Sequence, residues 1–357
     1  MTTILFLLVL AILIFVHELG HFLLARACGI RVDVFAIGFG PKIVSKTVGE
    51  TTYSLNLIPF GGYVKIFGEN PNDESINGVD KGRSFVHKPR LEQIAVLVAG
   101  IVFNFIFAAL LFIIAFTLGV PTPLDGYPAY KDRLKDPHIA ITSVNAGSPA
   151  YKAGLKAGDT LVVESVEVLQ KKVDDSKTDG VIIDFIRGGV ASSTKIFAEQ
   201  GIIDGKYAIG ISMDNVATLK LPFHLAVVEG FRFTINSIIR TITETYGLVA
   251  GIFDGTSKSA SIAGPVGIAG MVGDAAKLGI SYLLMFTAII SINLGVINLV
   301  PFPALDGGRI LFVTIEGIIR RPIKPVIANV VNTIGFGLLL ILMAFVTYKD
   351  IAKLFVK

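Results

Sequence analysis

Charge is scarce in this 357-residue chain: Asp, Glu, Lys and Arg make up 17% of it, against about a quarter in ordinary soluble proteins. Hydrophobic residues reach 52% and are concentrated in a few long segments. That distribution argues for membrane-embedded structure plus one water-exposed module. A single cysteine, Cys28, excludes an intrachain disulfide and a cysteine-rich metal site, and leaves the redox compartment open. Trp is absent, so any aromatic belt at a membrane interface must use Tyr and Phe. The formal charge is only +4, with no Arg-rich tract. That gives no nucleic-acid surface, and a small Lys and Arg surplus is normal beside membrane spans. The opening "MTTILFLLV" has no basic residue, and no small-residue cleavage site follows it. It reads as a retained span rather than a signal peptide.

Four segments are long enough to span a bilayer, which takes about 20 apolar residues in a helix. They cover about 3–26, 94–120, 278–300 and 325–348; the third belongs to an uncharged run reaching Leu305. The stretch 223–252 differs, because Glu229, Arg232, Arg240 and Glu244 interrupt its apolar residues. It reads as an amphipathic helix lying on the membrane or on a neighbour, with a fifth span as the lesser alternative. The 308–324 loop carries Arg309, Arg320, Arg321 and Lys324 against Glu316, and the 27–93 region is also mildly basic. Short basic loops tend to be cytoplasmic. That orientation puts both chain ends and the large 121–277 region outside, although Lys349, Lys353 and Lys357 argue mildly against it.

Between the first two spans, about 31–68, alternation at Tyr53, Leu55 and Leu57 followed by Pro59 and Gly61-Gly62 predicts strands and a turn. Strands at membrane depth are tolerated where they are buried in protein or line a wet cavity. Residues 136–214 read as a small, mostly β module, with strands in "HIAITSV" and "GVIIDFIR".

The oily first span carries "HELGH" near its far end. A helical period of 3.6 puts His17 and His21 on one face, one turn apart. Two neutral imidazoles there can hold one zinc ion, with Glu18 beside it to take a proton from water. The alternative is a buried, hydrogen-bonded His pair with Glu18 paired to a basic partner. Catalytic zinc usually takes three protein ligands. His87, His138 and His224 lie outside the spans, so the favoured third candidate is Asp306, at the end of a long uncharged segment. Its other reading is an N-cap for a helix starting at Gly307. Asn298, Asn293 and Asn104 lie within spans, where such residues either touch substrate or glue helices together; packing is favoured for Asn104.

These motifs resemble the site-2 proteases, intramembrane zinc metalloproteases, and specifically their bacterial PDZ-containing branch. "FVHELGH" at 15–21 and "NLVPFPALDGG" at 298–308 carry the resemblance, in separate spans and in the family's order. "GFG" at 38–40, "PFGGYVK" at 59–65, "SPAYKAGLKAGD" at 148–159 and "AGPVGI" at 263–268 extend it over almost the whole chain. The resemblance implies zinc held by His17, His21 and Asp306, with Glu18 as general base. It implies substrate handling by Asn298, Gly38, Gly40, Gly61 and Gly62. The expected fold is an α-helical polytopic membrane protein of about four spans, with a membrane-associated β-hairpin and an inserted PDZ-like domain. Two departures stand out: there is room for one PDZ domain where a well-known member has two, and Ile101 in "AGIVFNF" replaces a proline.

The expected reaction is hydrolysis of a peptide bond in or near a transmembrane segment of a single-span protein, including one already cut by another protease. Family substrates are anti-sigma factors and remnant signal peptides, and the expected place is the bacterial inner membrane. The module either receives carboxyl termini or excludes bulky ectodomains, exclusion being preferred. Rival readings are a zincin whose third ligand is Glu316, a noncatalytic membrane adaptor and a zinc transporter. Oligomeric state is not legible.

Overall fold

The computed structural model describes all residues except 1, 71–72, 146, 177–178, 204–205, 254–263, 322 and 356–357. Ala263 of the "AGPVGI" motif therefore lies outside the described residues. The chain forms two compact units, one of residues 1–112, 228–274 and 284–356, the other of 113–227 and 275–283.

The first unit opens with α1 (Thr2–Ala27), which ends at Gly29 in the left-handed region. Two long strands follow, β1 (Val32–Val48) and β2 (Thr51–Ile66). Both are kinked. Val34–Ile37 take partners on two sides, from Thr52 to Leu55 and from Gly62 to Lys65, while Lys42–Val48 pair back onto Thr51–Asn56. The small sheet thus runs 62–66, 32–37, 51–55, 42–48, and among the described residues its 62–66 edge has no further strand beside it. A short α2 (Asp73–Asn77) leads to α3 (Arg90–Leu118). Arg31 anchors this connection: it stacks on Phe67 at 3.6 Å and pairs with Asp33, Asp80 and Glu74. Phe22, Ala25, Phe35, Val64, Val96 and Leu97 share one core, so α1, the sheet and α3 are mutually packed.

The second unit is mostly β. Its strands are β3 (Val120–Pro123), β4 (Leu134–Val144), β5 (Thr160–Leu161), β6 (Val181–Arg187) and β7 (Val190–Ile196). Then come β8 (Glu199–Ile203), β9 (Lys206–Ala208) and β10 (Ile211–Leu219). Six form one sheet in the order β3-β10-β4-β5-β6-β7, and β8 pairs with β9. Two helices, α4 (Pro149–Lys152) and α5 (Val166–Ser176), complete the unit, with Ile141, Leu155, Leu169, Ile183 and Ile196 in its core. The module exceeds the expected 136–214 at both ends. Pro121 and Pro123 lie in β3, an edge strand of the sheet, where their missing N–H groups are tolerated.

A buried carboxylate fastens this module. Asp159 accepts from Arg187 Nε and Nη2, both at 2.6 Å, and from the Lys156 N–H at 2.8 Å. The paired carboxylate holds the Arg187 guanidinium above its ordinary pKa. Breaking a buried pair costs about 3–5 kcal/mol. Arg187 is 39% exposed and water can still serve it, so Asp159→Ala should cost about 2 kcal/mol. Limited proteolysis of the full chain should show faster cutting within 134–196; unchanged cutting would contradict the assignment.

The remaining helices are α6 (Phe223–Phe253), α7 (Pro265–Leu278), α8 (Ile280–Leu299), α9 (Asp306–Ile319) and α10 (Pro325–Phe355). The sequence reading has no helix at α7. Pro265 suits its first turn, Gly279 with φ of 120° separates it from α8, and Asp350 of α10 accepts from the Gly267 N–H at 2.8 Å. Among the described residues, four helices, α1, α3, α8 and α10, are long and apolar enough to cross a membrane.

Candidate metal centre

The helical period of α1 turns His17 and His21 toward α3, and both are buried. Glycines permit this crossing. A Cβ at Gly20 would lie 2.5 Å from the Ala99 carbonyl oxygen, and one at Gly100 would lie 2.3 Å from His21 Nε2. The rings meet edge to face with Nε2 atoms 3.2 Å apart. His21 Nδ1 donates to the Val96 carbonyl at 2.8 Å. A carbonyl only accepts, so the proton is on Nδ1 and the neutral ring turns the lone pair of Nε2 inward.

The third group arrives from the turn after α8. Pro301 and Pro303 cannot continue a helix, and Ala304 adopts φ of 75°. The Ala304 N–H donates to Asn332 Oδ1 on α10 at 3.3 Å. Cβ atoms at Gly307 and Gly308 would each lie 2.3 Å from a carbonyl oxygen, of Val300 and Phe302. This folded turn makes Asp306 the first residue of α9. Its Oδ2 lies 3.1 Å from His17 Nε2 and 3.3 Å from His21 Nε2. The capping alternative does not describe it: the N-cap position is Leu305, and no side chain caps the helix.

The three facing atoms form a triangle with edges of 3.1, 3.2 and 3.3 Å. Tetrahedral zinc with bonds of about 2.1 Å needs ligand atoms about 3.4 Å apart. Asp306 Oδ2 is buried without a hydrogen bond, and such an atom beside the inward lone pair of His21 Nε2 calls for a cation. The donor set therefore fits zinc. Among the described residues these three form the group able to hold a metal. Glu316, the rival ligand, pairs instead with Arg90 at 2.7 Å and accepts from the Ile323 N–H. His87 and His138 face backbone carbonyls of Ile76 and Asp136, and His224 is exposed.

Glu18 is half-buried and lines a cavity of about 570 Å³ together with His17, His21 and Asp306. The Val64 N–H lies against its carboxylate. Gly62 lets β2 pass this close, since a Cβ there would lie 3.4 Å from Glu18 Cγ and 2.9 Å from the Ala36 oxygen. Tyr63–Ile66, the unpaired sheet edge, forms another wall of the cavity. The other glycines sit elsewhere. A Cβ at Gly38 would meet the Ile58 oxygen at 2.6 Å, Gly40 abuts the Ile58 side chain, and Gly61 lies under the Phe39 ring. At Gly38, Gly40 and Gly61 the close approach is thus made by the hairpin itself, and none of the three lines the cavity.

Asn298 Nδ2 lies 3.5 Å from His17 Nε2. Asn293 Oδ1 accepts from Thr241 Oγ1 at 3.3 Å, a link between α6 and α8. Asn104, read as a packing residue, is completely buried and also touches His17 Nδ1 at 3.1 Å. Arg309 and Glu69 also line the cavity and are ion-paired. The sequence reading used Arg309 only for orientation and missed Glu69. The available signal was spacing, since Arg309 follows Asp306 by three on one helix and so shares its face.

Comparison with known proteins shows the family. The profile described as Peptidase family M50 matches residues 5–342. Relatives whose names include the term zinc metalloprotease cover nearly the whole chain. One from Clostridium perfringens is 36% identical over 354 residues, 97% of each chain. One from Clostridium acetobutylicum is 34% identical over 347 residues, 95% of this chain and 94% of the relative. One from Agrobacterium fabrum is 32% identical over 375 residues, 98% and 95%. With the match spanning both halves of the His–Asp cluster, the chain belongs to peptidase family M50, the zinc-dependent site-2 protease family.

Proposed function

We propose that this multi-pass membrane protein is an endopeptidase that hydrolyses peptide bonds within or near the transmembrane segments of single-span proteins. In this reading His17, His21 and Asp306 hold the zinc. The bound ion supplies Lewis acidity toward the scissile carbonyl and makes water acidic enough to attack near neutral pH. Glu18 takes the proton of the attacking water and passes it to the leaving amine.

One observation carries the intramembrane part: the two histidines of the cluster lie on a helix of spanning length, α1, and the cavity they line with Asp306 is shared with the outer edge of a sheet. A substrate helix must unwind before its carbonyls are accessible. An unwound segment leaves N–H and C=O groups that hydrocarbon cannot satisfy. The edge at Tyr63–Ile66 can receive that segment as an added strand and satisfy them. In this reading Asn298, beside the His17 ring, hydrogen-bonds the substrate near the reacting carbonyl. Gly62 keeps the strand close to Glu18, while Gly38, Gly40 and Gly61 shape the hairpin.

The β module is PDZ-like in this reading. Ile211–Asp214 of β10 pair only with β4, and their other edge opens onto a groove beside α5 lined by Gln170, Lys171, Val173, Tyr207, Ile211 and Met213. Such a groove suits an extended peptide end, which favours reception of a freed carboxyl terminus over simple exclusion of bulky domains. The basic loops then face the cytoplasm of a bacterial cell, with the module outside. Anti-sigma factors and remnant signal peptides, the substrate classes that the family resemblance implies, are the substrates in this reading.

Reconstituting the full chain in liposomes with a single-span substrate tests the proposal. Cleavage should map inside the span, stop on chelation and return with zinc. Cutting confined to soluble loops, or indifferent to chelator, would reject it.

A further inference from the structure

We infer that Asn104 is a positioning residue for the metal: its side-chain oxygen holds the proton of His17 on Nδ1 and so leaves the Nε2 lone pair for zinc. The inference rests on the zinc-ligand reading of His17, His21 and Asp306. His21 shows what such a ligand needs. Its Nδ1–H is fixed by the Val96 carbonyl of α3, an acceptor that dictates the tautomer. His17 needs an equivalent acceptor. Among the described residues, the polar group at its Nδ1 is the Asn104 amide, from the same helix, at 3.1 Å.

The amide has two ends of nearly one shape. With Nδ2 toward the ring, the amide donates, and His17 must carry its proton on Nε2. That proton would then point into the triangle shared with His21 Nε2 and Asp306 Oδ2, 3.2 and 3.1 Å away. Meanwhile Asn104 Oδ1 is buried without a donor. Turned over about its Cβ–Cγ bond, the amide presents Oδ1 to the ring. Oδ1 then accepts from Nδ1–H, and all three inward atoms carry lone pairs.

Asn104 is held where it can do this. It is completely buried. Its backbone carbonyl accepts from Ser291 Oγ at 2.8 Å, tying this turn of α3 to α8. Next to it, Phe105 packs over Gly295, where a Cβ would lie 2.6 Å from the ring. Asn298 cannot substitute, because it faces Nε2 rather than Nδ1. A residue that merely packs the span would not need an acceptor, and leucine would serve as well.

Zinc affinity separates the two roles. The detergent-purified full chain is titrated with a chromophoric zinc chelator for wild type, Asn104→Asp and Asn104→Leu, and the zinc-stripped proteins are melted in parallel. Loss of a ligand's outer partner typically costs about 10–100-fold in metal affinity, so Asn104→Leu should weaken binding by that factor. Asn104→Asp, which keeps the acceptor, should bind at least as tightly as wild type. The zinc-stripped melts should stay close together. Equal affinity in the leucine variant, or equal losses in both variants, would overturn the inference. Wild type that bound no zinc would instead remove the ligand reading beneath it.

Discussion

Glu18→Gln should abolish cleavage of a reconstituted single-span substrate while leaving zinc in place. The substitution keeps the side chain's size, and removes its negative charge and its ability to take up a proton. Positioned acid–base groups contribute about 10²–10⁴-fold to rate. Glu18 would serve twice, toward water and toward the leaving amine, so we expect a loss at the upper end, about 10³-fold or more. Zinc content should stay near one per chain, because Glu18 is not part of the His17–His21–Asp306 triangle. Asp306→Asn should do the reverse and lose the metal, whereas Glu316→Gln, engaged with Arg90, should keep it. Measured turnover and bound zinc thus separate base from ligands. Normal biological function in Glu18→Gln would instead favour a noncatalytic adaptor, and zinc loss in that variant would make Glu18 a ligand.

What was legible in the sequence divides by range. The His pair was legible because a single helix fixes its geometry: i and i+4 share a face whatever surrounds them. Asp306 was legible because an isolated carboxylate ending an uncharged segment is costly unless paired. The hairpin was visible as alternation, but its double pairing was not. Nothing in the order of residues 32–66 says that Val34–Ile37 find partners on both sides, and that fact decides which edge faces the cavity. The roles of Asn104 and Asn332 were hidden for the same reason. Each acts on a residue far away in sequence, and a span asparagine that glues helices looks the same on paper as one that orients a ligand. The glycines were the least readable. Gly38 and Gly40 suggested room for a substrate, yet the hairpin's own strand occupies that room. Gly100, ordinary in sequence, faces both rings.

Gly100→Ala should strip the protein of zinc without unfolding it. Helix propensity and local sterics here pull in opposite directions. In a helix interior alanine is favoured over glycine by about 1 kcal/mol, so the intrinsic stability of α3 should rise. The added methyl, however, would sit 2.3 Å from His21 Nε2, 2.8 Å from its Cε1 and 2.9 Å from His17 Cε1. Real side chains do not tolerate such distances, and either the rings or the helices must move. The helices resist, because Gly20 already brings α1 against the Ala99 carbonyl. The rings are held by their Nδ1 contacts to the same helix. Displacing them breaks a triangle whose edges must stay near 3.4 Å for about 2.1 Å bonds to zinc. We expect zinc affinity to fall by more than about 100-fold, beyond the loss typical of an outer partner, and activity to fall with it. Gly337→Ala provides the control, since no atom lies within 4 Å of its would-be Cβ; there the propensity gain should appear alone, with zinc retained. If Gly100→Ala bound zinc as tightly as that control, the two histidines would not meet beneath α3 as described.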